Sequence, residues 1–437
     1  MSNPYNAMDN KKEINIGVLG LGVVGSGTVR TLIENADIIA NRLGVRLNVS
    51  KVAVRDPSKK RDISLPAGVL TSRPEDVLDN PSIDIVCELI GGVEPARSLV
   101  ERAIHAGKNV VTANKEMMAK AGGDLMRLAE EKNLDFLFEG SVGGGIPVIQ
   151  PLKQALAANR FEEVMGIVNG TTNYILTKMA TEGAEFADVL REAQERGYAE
   201  PNPTNDVEGY DAQYKIAILA SIVFNSRIDI NDIFVQGITR LSRRDFEMAD
   251  ILGYVIKLVG IGQDSGNGLR VRVHPALLRK DHPLASVNDV YNAIYVRANP
   301  VGTVMFYGRG AGPGPTGSAV VGDIMEIARN MRRGATGRLG CTCFAQRNIL
   351  PMASLQTRYF VRLTAEDRPR VLASVASVFG DFDVSIESVE QRAREEGKAE
   401  IVLLTHRTVE HNLASALDVL SRLPIVARID NWLRVEE

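Results

Sequence analysis

Three glycines between a strand pattern and a helix pattern constrain the fold of this chain more than any other stretch. Residues 13–19 read EINIGVL, an apolar strand pattern, and Gly20, Gly22 and Gly25 follow as G-x-G-x-x-G before a helix pattern. In this order the glycines allow a tight turn, close approach of a pyrophosphate and close packing of the helix on the strand. The helix N-terminus then faces the phosphates. The stretch predicts a dinucleotide-binding α/β domain, with a tight turn in an unrelated α/β protein as the alternative.

The alternation of strand and helix patterns continues to about residue 140. Strand patterns at 47–54, 82–92, 109–115 and 134–140 alternate with helix patterns. Repeated β-α units predict a parallel sheet covered on both faces, with ligands at the carboxyl ends of its strands. Lys115 ends one of these strand patterns, so it is predicted to neighbour the nicotinamide or the substrate. A surface lysine after a strand is the alternative.

The second strand pattern is followed by Arg55, at a position where an NAD enzyme usually has an acid for the ribose 2′-hydroxyl. A guanidinium instead suits a 2′-phosphate. Asp56, one residue later, points the other way. The sequence predicts a preference for NADP(H) and leaves NAD(H) open.

Length and composition limit the remaining classes. A chain of 437 residues predicts two or three domains. A formal net charge of -3 gives no basic footprint for nucleic acid, and no apolar run reaches the roughly 20 residues that span a bilayer. The polar N-terminus shows no secretory signal, and three cysteines are typical of a reducing cytoplasm. Cys341 and Cys343 form only a C-x-C, which indicates incidental thiols rather than a metal or redox centre.

An acidic stretch in the middle of the chain is the main candidate for a substrate site. Residues 193–215 read AQERGYAEPNPTNDVEGYDAQYK, and prolines and glycines keep most of it out of regular helix. Its charged candidates are Glu200, Asp206, Glu208, Asp211 and Lys215. Asp211 and Lys215 are spaced i, i+4 and share one helix face. A cationic metabolite held by the acids, with one ammonium left for chemistry, is one interpretation; a solvated loop with a helical salt bridge is the other.

Two glycine-rich loops flank the middle of the chain. Residues 139–149 read EGSVGGGIPVI and offer backbone carbonyls and the Glu139 carboxylate, oxygen ligands that suit a hard cation. A tight inter-domain turn is the alternative. The loop that begins at Gly308 runs into a helix pattern. It predicts a return of the chain to the nucleotide domain, or else a flexible linker.

From residue 357 the patterns read β-α-β-β-α-β, a split βαβ sandwich. The middle strands predict an α+β domain whose open sheet pairs with another subunit. The predicted domains are a nucleotide-binding domain (1–140, with the return of 308–335), a substrate and dimerisation domain (141–307), a linker (336–356) and a regulatory domain (357–437).

The acidic stretch matches a family signature of the form A-x3-G, aromatic or aliphatic, small, then N/D-P-x2-D-V-x-G-x-D-x3-K. The residues that fill it without a gap are Ala193, Gly197, Tyr198, Ala199, Asn202, Pro203, Asp206, Val207, Gly209, Asp211 and Lys215. Supporting stretches are GLGVVGSG, TANK, EGSVGGGIP and VNGTTNYIL. With these motifs the chain resembles homoserine dehydrogenase of the longer, monofunctional bacterial type, over essentially its whole length after the first ten or so residues.

The resemblance implies reduction of L-aspartate 4-semialdehyde to L-homoserine with NAD(P)H, in threonine, methionine and isoleucine biosynthesis. It implies Lys215 as the proton donor and acceptor, Asp211 as its partner, Lys115 as a second lysine near the carbonyl, and Glu200 and Asp206 as substrate ligands. The predicted cofactor-binding residues are Gly20, Gly22, Val23, Val24, Gly25, Arg55, Lys115 and Gly312. The residues that match a structural Na⁺ or K⁺ site are Glu139, Val142, Gly144 and Ile146.

The tail resembles an ACT domain, an amino-acid-sensing module that usually pairs with another copy. The resemblance implies threonine as a feedback inhibitor and a homodimer or homotetramer. The usual turn reads D-x-P-G-V-L, and here Arg370 stands in place of the glycine. A role limited to the subunit interface is therefore the alternative to effector binding.

Two other functions compete with this interpretation. A thiol-dependent semialdehyde dehydrogenase needs a cysteine nucleophile with a histidine base. No cysteine lies between Cys87 and Cys341, and Cys87 stands inside a buried strand pattern. A non-catalytic sensor would bind nucleotide and amino acid without turnover, and the intact pair of Asp211 and Lys215 argues against it.

Overall fold

The computed structural model describes residues 12–394 and 397–437. The chain forms two compact units. Of the described residues, those up to 164 together with 214–232 and 292–347 form the first unit, and those in 165–213, 233–291 and 348–437 form the second. The polar N-terminal stretch, on which the absence of a secretory signal was predicted, lies almost entirely outside the described residues.

The strands are numbered in chain order. They are β1 Glu13–Leu19, β2 Arg46–Ala53, β3 Leu70–Thr71, β4 Ile85–Glu88, β5 Asn109–Thr112, β6 Phe136–Leu137, β7 Arg160–Ile167, β8 Phe234–Val235, β9 Tyr254–Asp264, β10 Leu269–Arg279, β11 Tyr291–Asn299, β12 Gly302–Arg309, β13 Gln356–Glu366, β14 Ile386–Ala393, β15 Lys398–Thr405, β16 Thr408–Val409 and β17 Val426–Glu436.

The α-helices alternate with these strands in the first half of the chain and carry the site loops in the second. They are Val23–Glu34, Ala36–Leu43, Glu75–Leu78, Ala96–His105, Lys115–Glu131, Ile149–Lys153, Gly170–Glu182, Phe186–Glu195, Thr204–Val207, Tyr210–Val223, Arg243–Ile251, Pro313–Arg332, Val371–Asp381 and Glu410–Ser421. None of the helices in the described ranges combines enough length and apolarity to cross a membrane.

The first unit contains a six-stranded sheet in the order β3-β2-β1-β4-β5-β6. Every neighbouring pair is parallel. This order is that of the doubly wound dinucleotide-binding fold, so the predicted α/β class is confirmed. Its core joins β1, including Ile16 and Val18, to Val320 and Ile324 of the helix Pro313–Arg332.

The helix Pro313–Arg332 packs closely on the helix Val23–Glu34. A Cβ atom on Gly27 would collide with the carbonyl group of Pro313, and one on Gly317 would lie 2.7 Å from the Gly27 backbone. Small residues at this crossing let the two backbones approach, so the stretch after Gly308 forms a packed helix in place of a flexible linker.

The second unit contains strands in the order β9-β10-β17-β13-β15-β14. β13 pairs antiparallel with β15 and β17, and β14 pairs antiparallel with β15. The helices Val371–Asp381 and Glu410–Ser421 cover one face around Tyr359 and Phe379. The predicted βαββαβ sandwich is confirmed. Its last strand, β17, also pairs in parallel with β10.

The strand patterns 82–92, 109–115 and 134–140 extend beyond the observed strands β4, β5 and β6, and the difference matters most at Lys115. The pattern NVVTANK was expected to be strand through Lys115, but β5 ends at Thr112 and Lys115 is the first residue of a helix. The reason is the Asn114 side chain, which accepts a hydrogen bond from the Met117 amide over 3.1 Å and caps the helix.

Candidate active site

A cleft of about 680 Å³ lies at the carboxyl ends of β1, β2 and β4 in the first unit. Gly20 lines it with a φ of 99°, a left-handed conformation that glycine adopts without strain. A Cβ on Gly22 would meet nothing within 4 Å. The open space over Gly22 and the tight turn at Gly20 are the arrangement that a bound pyrophosphate needs.

Arg55 and Asp56 both line this cleft, and of the two only the Asp56 side chain is hydrogen-bonded within its own turn. Its carboxylate accepts hydrogen bonds from the amide of Ser58 over 2.9 Å and from its hydroxyl over 2.6 Å. These bonds lower the pKa of Asp56. Lys59 and Arg61 also line the cleft, so this end of it is positively charged.

The turn before Lys115 is held by a buried acid. Glu88, at the end of β4, accepts a hydrogen bond from the Thr112 hydroxyl over 2.6 Å and from the Ile90 amide over 2.8 Å. The Asn114 side chain donates to the Gly92 carbonyl over 2.6 Å. This network fixes the half-buried Lys115 at the start of its helix, at the strand ends of the nucleotide sheet.

The Glu139 loop is buried and tightly hydrogen-bonded. The Glu139 carboxylate accepts from the amides of Val148, Ile149 and Gln150 over 2.6, 2.7 and 2.8 Å. Three amides at the start of the helix Ile149–Lys153 therefore share its charge. Burial raises the pKa of Glu139, and these three bonds oppose the rise.

The donor set of this loop fits a monovalent cation better than a divalent one. Glu139 supplies a single acid, and the expected partners Val142, Gly144 and Ile146 could offer only backbone oxygens. Within the described residues, no group of three or more histidine, cysteine or acidic side chains is placed to hold a metal ion. Oxygen ligands of low total charge suit a hard cation of low charge.

In the second unit, one amide side chain joins two of the predicted site acids. Asn169 Nδ2 donates to Asp206 over 2.6 Å and to Asp211 over 2.9 Å. Its Oδ1 accepts from the Thr172 amide over 2.8 Å and so caps the helix Gly170–Glu182. Both amide protons are used on carboxylates, so Asn169 fixes the separation and orientation of these two acids.

The helix Tyr210–Val223 carries Asp211 in its first turn and Lys215 one turn later. Both side chains are buried, at 4% and 7% exposure. Ionisable groups this deeply buried are rare unless they are paired, and they are a frequent mark of functional sites. The solvated-loop interpretation is therefore wrong for these two residues.

Glu200 is placed differently from the other acids. It is exposed, and its loop is anchored by the Gln194 side chain, which donates to the Glu200 carbonyl over 3.2 Å. The Thr171 hydroxyl also binds the Tyr198 carbonyl over 2.6 Å. The loop is thus tied to the same helix start that Asn169 caps, while the Glu200 carboxylate stays accessible to a ligand.

A buried lysine belongs to the hydrogen-bond network that holds this helix start in place. Lys257 Nζ on β9 donates to the Val287 carbonyl over 2.6 Å and to the Asn288 side chain over 2.8 Å. Asn173 donates to the same Val287 carbonyl over 3.2 Å. Burial lowers the pKa of Lys257 to about 8. The stretch from Asn169 to Asn173 is therefore rigidly placed in its unit.

Sequence reasoning missed several of these residues. In the sequence analysis Asn169 stands only within the supporting stretch VNGTTNYIL, and Glu88, Lys59 and Arg61 were not singled out. The position of Glu88 at the end of a strand pattern was an available signal. Nothing in the sequence pairs Asn169 with Asp206, because they lie 37 residues apart.

Family models match three parts of the chain. The model described as homoserine dehydrogenase matches residues 147–325, and that described as homoserine dehydrogenase, NAD binding domain, matches 20–139. The ACT domain model matches residues 359–425.

Named relatives match over nearly the whole chain. The homoserine dehydrogenase of Synechocystis is 45% identical over 97% of this chain and 99% of its own, and that of Bacillus subtilis is 41% identical over the same shares. A crystal structure of a homoserine dehydrogenase from Thiobacillus denitrificans superposes with a TM-score of 0.92 at 42% identity, covering 98% of this chain and 99% of that one.

A more distant structure, a hyperthermophilic archaeal homoserine dehydrogenase in complex with NADPH, superposes with a TM-score of 0.61 at 28% identity. It covers 72% of this chain and 97% of its own. The resemblance carried by the sequence motifs is confirmed at the level of sequence, domain composition and fold. The chain belongs to the homoserine dehydrogenase family of NAD(P)-dependent oxidoreductases, and it carries an ACT domain.

Proposed function

We propose a division of roles for the homoserine dehydrogenase reaction, the interconversion of L-aspartate 4-semialdehyde and L-homoserine. The observation that carries the proposal is the Asn169 amide, which binds Asp206 and Asp211 at the head of the helix that carries Lys215. In this assignment Asp206 and Glu200 pair with the α-ammonium of the substrate. Asp211 keeps the neighbouring lysine charged and oriented.

Lys215 acts as the proton donor in reduction. When bound, the reduced nicotinamide supplies the hydride to the aldehyde carbon. Negative charge develops on the aldehyde oxygen, and a nearby ammonium can transfer a proton to it. Lys115 stabilises that charge, because a fixed cation aimed at a developing oxyanion lowers the barrier. Acids near Lys215 favour its charged form, which suits donation.

We propose NADP(H) as the preferred cofactor. The ribose end of the cleft is positively charged, because it is lined by Arg55, Lys59 and Arg61. The Asp56 carboxylate accepts hydrogen bonds from Ser58. A 2′-phosphate pairs with guanidinium and ammonium groups, whereas the 2′-hydroxyl of NAD(H) needs an acceptor. The archaeal relative in complex with NADPH is consistent with this preference.

A monovalent cation at Val142, Gly144 and Ile146, near the Glu139 carboxylate, is proposed as a structural element of the hinge. Its expected role is to order the loop that precedes the helix Ile149–Lys153. The three amides on Glu139 already neutralise part of its charge, so Na⁺ or K⁺ fits better than a doubly charged ion.

Regulation and assembly are proposed on the domain composition. The ACT domain suggests threonine as an effector and pairing with a second copy, in a homodimer or homotetramer. Arg370 keeps the left-handed turn, with a φ of 76°, but adds a long side chain where ACT turns usually have glycine. The domain limits proposed are those predicted from the sequence, with residues 141–307 as the substrate and dimerisation domain.

The test is turnover of L-homoserine with NADP⁺, followed by the absorbance of the reduced nicotinamide. Wild type is expected to turn over, and Lys215→Ala is expected to lose at least about 100-fold in kcat with a smaller change in the KM for NADP⁺. A wild-type rate for Lys215→Ala at saturating substrate would contradict the assignment of Lys215 as the proton donor. Absence of turnover in the wild type would favour a non-catalytic sensor.

A further inference from the structure

The C-x-C segment in the first unit is anchored against the end of the helix that carries Lys215. Cys343 Sγ donates to the carbonyl of Ser221, in the last turn of that helix, over 3.6 Å. The Asn225 side chain donates to the Thr342 carbonyl over 3.1 Å. Both cysteines are half-buried, so they are held in place yet reachable by a small molecule.

Two cationic side chains line the same cavity as the two thiols, and the Glu130 carboxylate lies against Gly340. Cys341 and Cys343 line a cavity of about 50 Å³ together with Lys153 and Arg227. Lys153 Nζ donates to the carbonyl of Gly340, the residue before Cys341, over 2.9 Å. Positive charge opposes the binding of a metal cation but stabilises a thiolate, the form of cysteine that reacts.

The two thiols are close in the chain. Cys341 and Cys343 are two residues apart and line the same small cavity, and the Cys343 hydrogen is donated to Ser221. The third thiol is an internal contrast. Burial in β4 raises the pKa of Cys87, which is fully inaccessible.

We propose that Cys341 and Cys343 form an oxidation site that takes a hydroperoxide and closes to an intramolecular disulfide. Cys341 is the attacking thiol because Lys153 binds the carbonyl of the residue before it, and Cys343 is the resolving thiol because it lines the same cavity two residues further on. A disulfide spans Cα atoms about 4.4–6.8 Å apart, a separation that residues two apart reach when their segment bends into a turn.

The reaction balances in two steps. The Cys341 thiolate attacks one peroxide oxygen, the O–O bond breaks, and the alcohol leaves with a proton; Cys341 becomes a sulfenic acid. Cys343 sulfur then attacks the Cys341 sulfur, the S–O bond breaks, and the hydroxide leaves as water with the Cys343 proton. Overall, two thiols are oxidised by two electrons and one hydroperoxide is reduced to an alcohol and water.

Disulfide formation removes a contact of the catalytic helix. The Cys343 thiol that donates to Ser221 loses its hydrogen, so the segment releases the end of the helix Tyr210–Val223. A functional effect at Lys215 would follow from this release, and that part of the inference rests on the proposed function. The oxidation itself does not.

The test is direct because one tryptic peptide, residues 339–347, holds both cysteines. The reduced native protein is treated with hydrogen peroxide and analysed by mass spectrometry. Wild type should yield this peptide lighter by two hydrogen atoms and protected from alkylation. Cys343→Ser should stop at a sulfenic acid on Cys341 that dimedone traps, and Cys341→Ser should react at least about tenfold more slowly.

Cys87→Ser is the matched control and should behave as the wild type. Oxidation of Cys341 and Cys343 at no higher rate than Cys87 in the native protein would overturn the proposal. So would separate oxygenation of the two sulfurs, or disulfides between chains.

Turnover of homoserine is measured on the same samples. Peroxide should lower the wild-type rate at least about threefold, dithiothreitol should restore it, and Cys341→Ser should be insensitive. If the reduced wild type did not turn over homoserine, the proposed function would be contradicted. The peptide masses would still decide whether Cys341 and Cys343 form an oxidation site. A disulfide without any change in rate would overturn the link to the helix.

Discussion

The position of Asn169 gives the sharpest prediction, which is the effect of replacing it by aspartate. Asn169→Asp keeps the helix cap, because aspartate and asparagine are equivalent at that position. It replaces the amide that donates to Asp206 and Asp211 with a third carboxylate. The substitution therefore removes the hydrogen bonds from residue 169 to the two acids while it keeps the cap of the helix.

The magnitude follows from the two bonds. Each is a hydrogen bond to a charged group, worth roughly 1.5–3 kcal/mol, so their loss is about 3–6 kcal/mol before relaxation. If half of this loss appears in the transition state, which is about 1.5–3 kcal/mol, kcat/KM falls about 10- to 150-fold. In the variant, three carboxylates lie together, so their mutual repulsion raises the pKa of one of them. A proton shared between two of these carboxylates then restores one of the lost hydrogen bonds. The ratio of variant to wild-type kcat/KM should thus rise as the pH is lowered from about 8 to about 6.

The assay is reduction of L-aspartate 4-semialdehyde with NADPH across this pH range, with thermal unfolding measured in parallel. Asn330→Asp is the matched control, because Asn330 is also buried and donates to the carboxylate of Asp135 over 3.0 Å. It loses one such bond where Asn169→Asp loses two, so it should lose less stability and leave the substrate KM and the pH profile unchanged. An Asn169→Asp enzyme within about threefold of wild type at every pH would refute the reasoning. So would a ratio that does not depend on pH, as expected for Asn330→Asp.

Three further outcomes test other parts of the molecule. Arg55→Ser should raise the KM for NADPH by about 10-fold or more and leave that for NADH within about twofold, which steady-state kinetics with both cofactors will check. Burial raises the pKa of Glu436, but the charge of Arg272 outweighs burial and holds this pKa at about 2. The pair of Glu436 and Arg272 should therefore stabilise the fold above pH 4.5 and lose that contribution as the pH falls towards 2. Glu436→Gln should cost about 3–5 kcal/mol at neutral pH by leaving the buried Arg272 unpaired, and should flatten this acid limb in denaturant titrations. Arg370→Gly should stabilise the protein by about 0.5–1 kcal/mol, since glycine adopts its φ of 76° without strain, and a lower melting temperature would contradict this.

Much of the fold was predictable because its signals are local. The six-stranded parallel sheet follows from alternating apolar periods, and the turn at Gly20 follows from a backbone conformation that glycine favours. The ACT turn shows the strength of such signals, since Arg370 adopts the left-handed conformation although the usual glycine is missing. The error at Lys115 also had a local cause: the Asn114 cap ends the strand early.

The candidate site was predictable in its acids and its lysine, because the signature places Asp206, Asp211 and Lys215 within ten residues. Its partners were not predictable in the same way. The sequence placed Asp56 as an acid that could serve a ribose hydroxyl, but its carboxylate accepts hydrogen bonds from Ser58, two residues away. Which of two competing hydrogen bonds a short polar side chain makes depends on the turn that the surrounding structure imposes.

By itself, the sequence determined the fold class, the βαββαβ tail and the identity of the charged groups in the acidic stretch, because periodicity, glycine turns and residue types act over short separations. Only the tertiary structure decided that Asn169 binds both acids, that Glu139 is shared by three amides, and that Cys341 and Cys343 lie beside Lys153. These contacts join residues that are distant in the chain or whose backbone atoms meet only after packing. Their geometry is set by burial and by the need to satisfy each buried polar group, and these are properties of the folded chain.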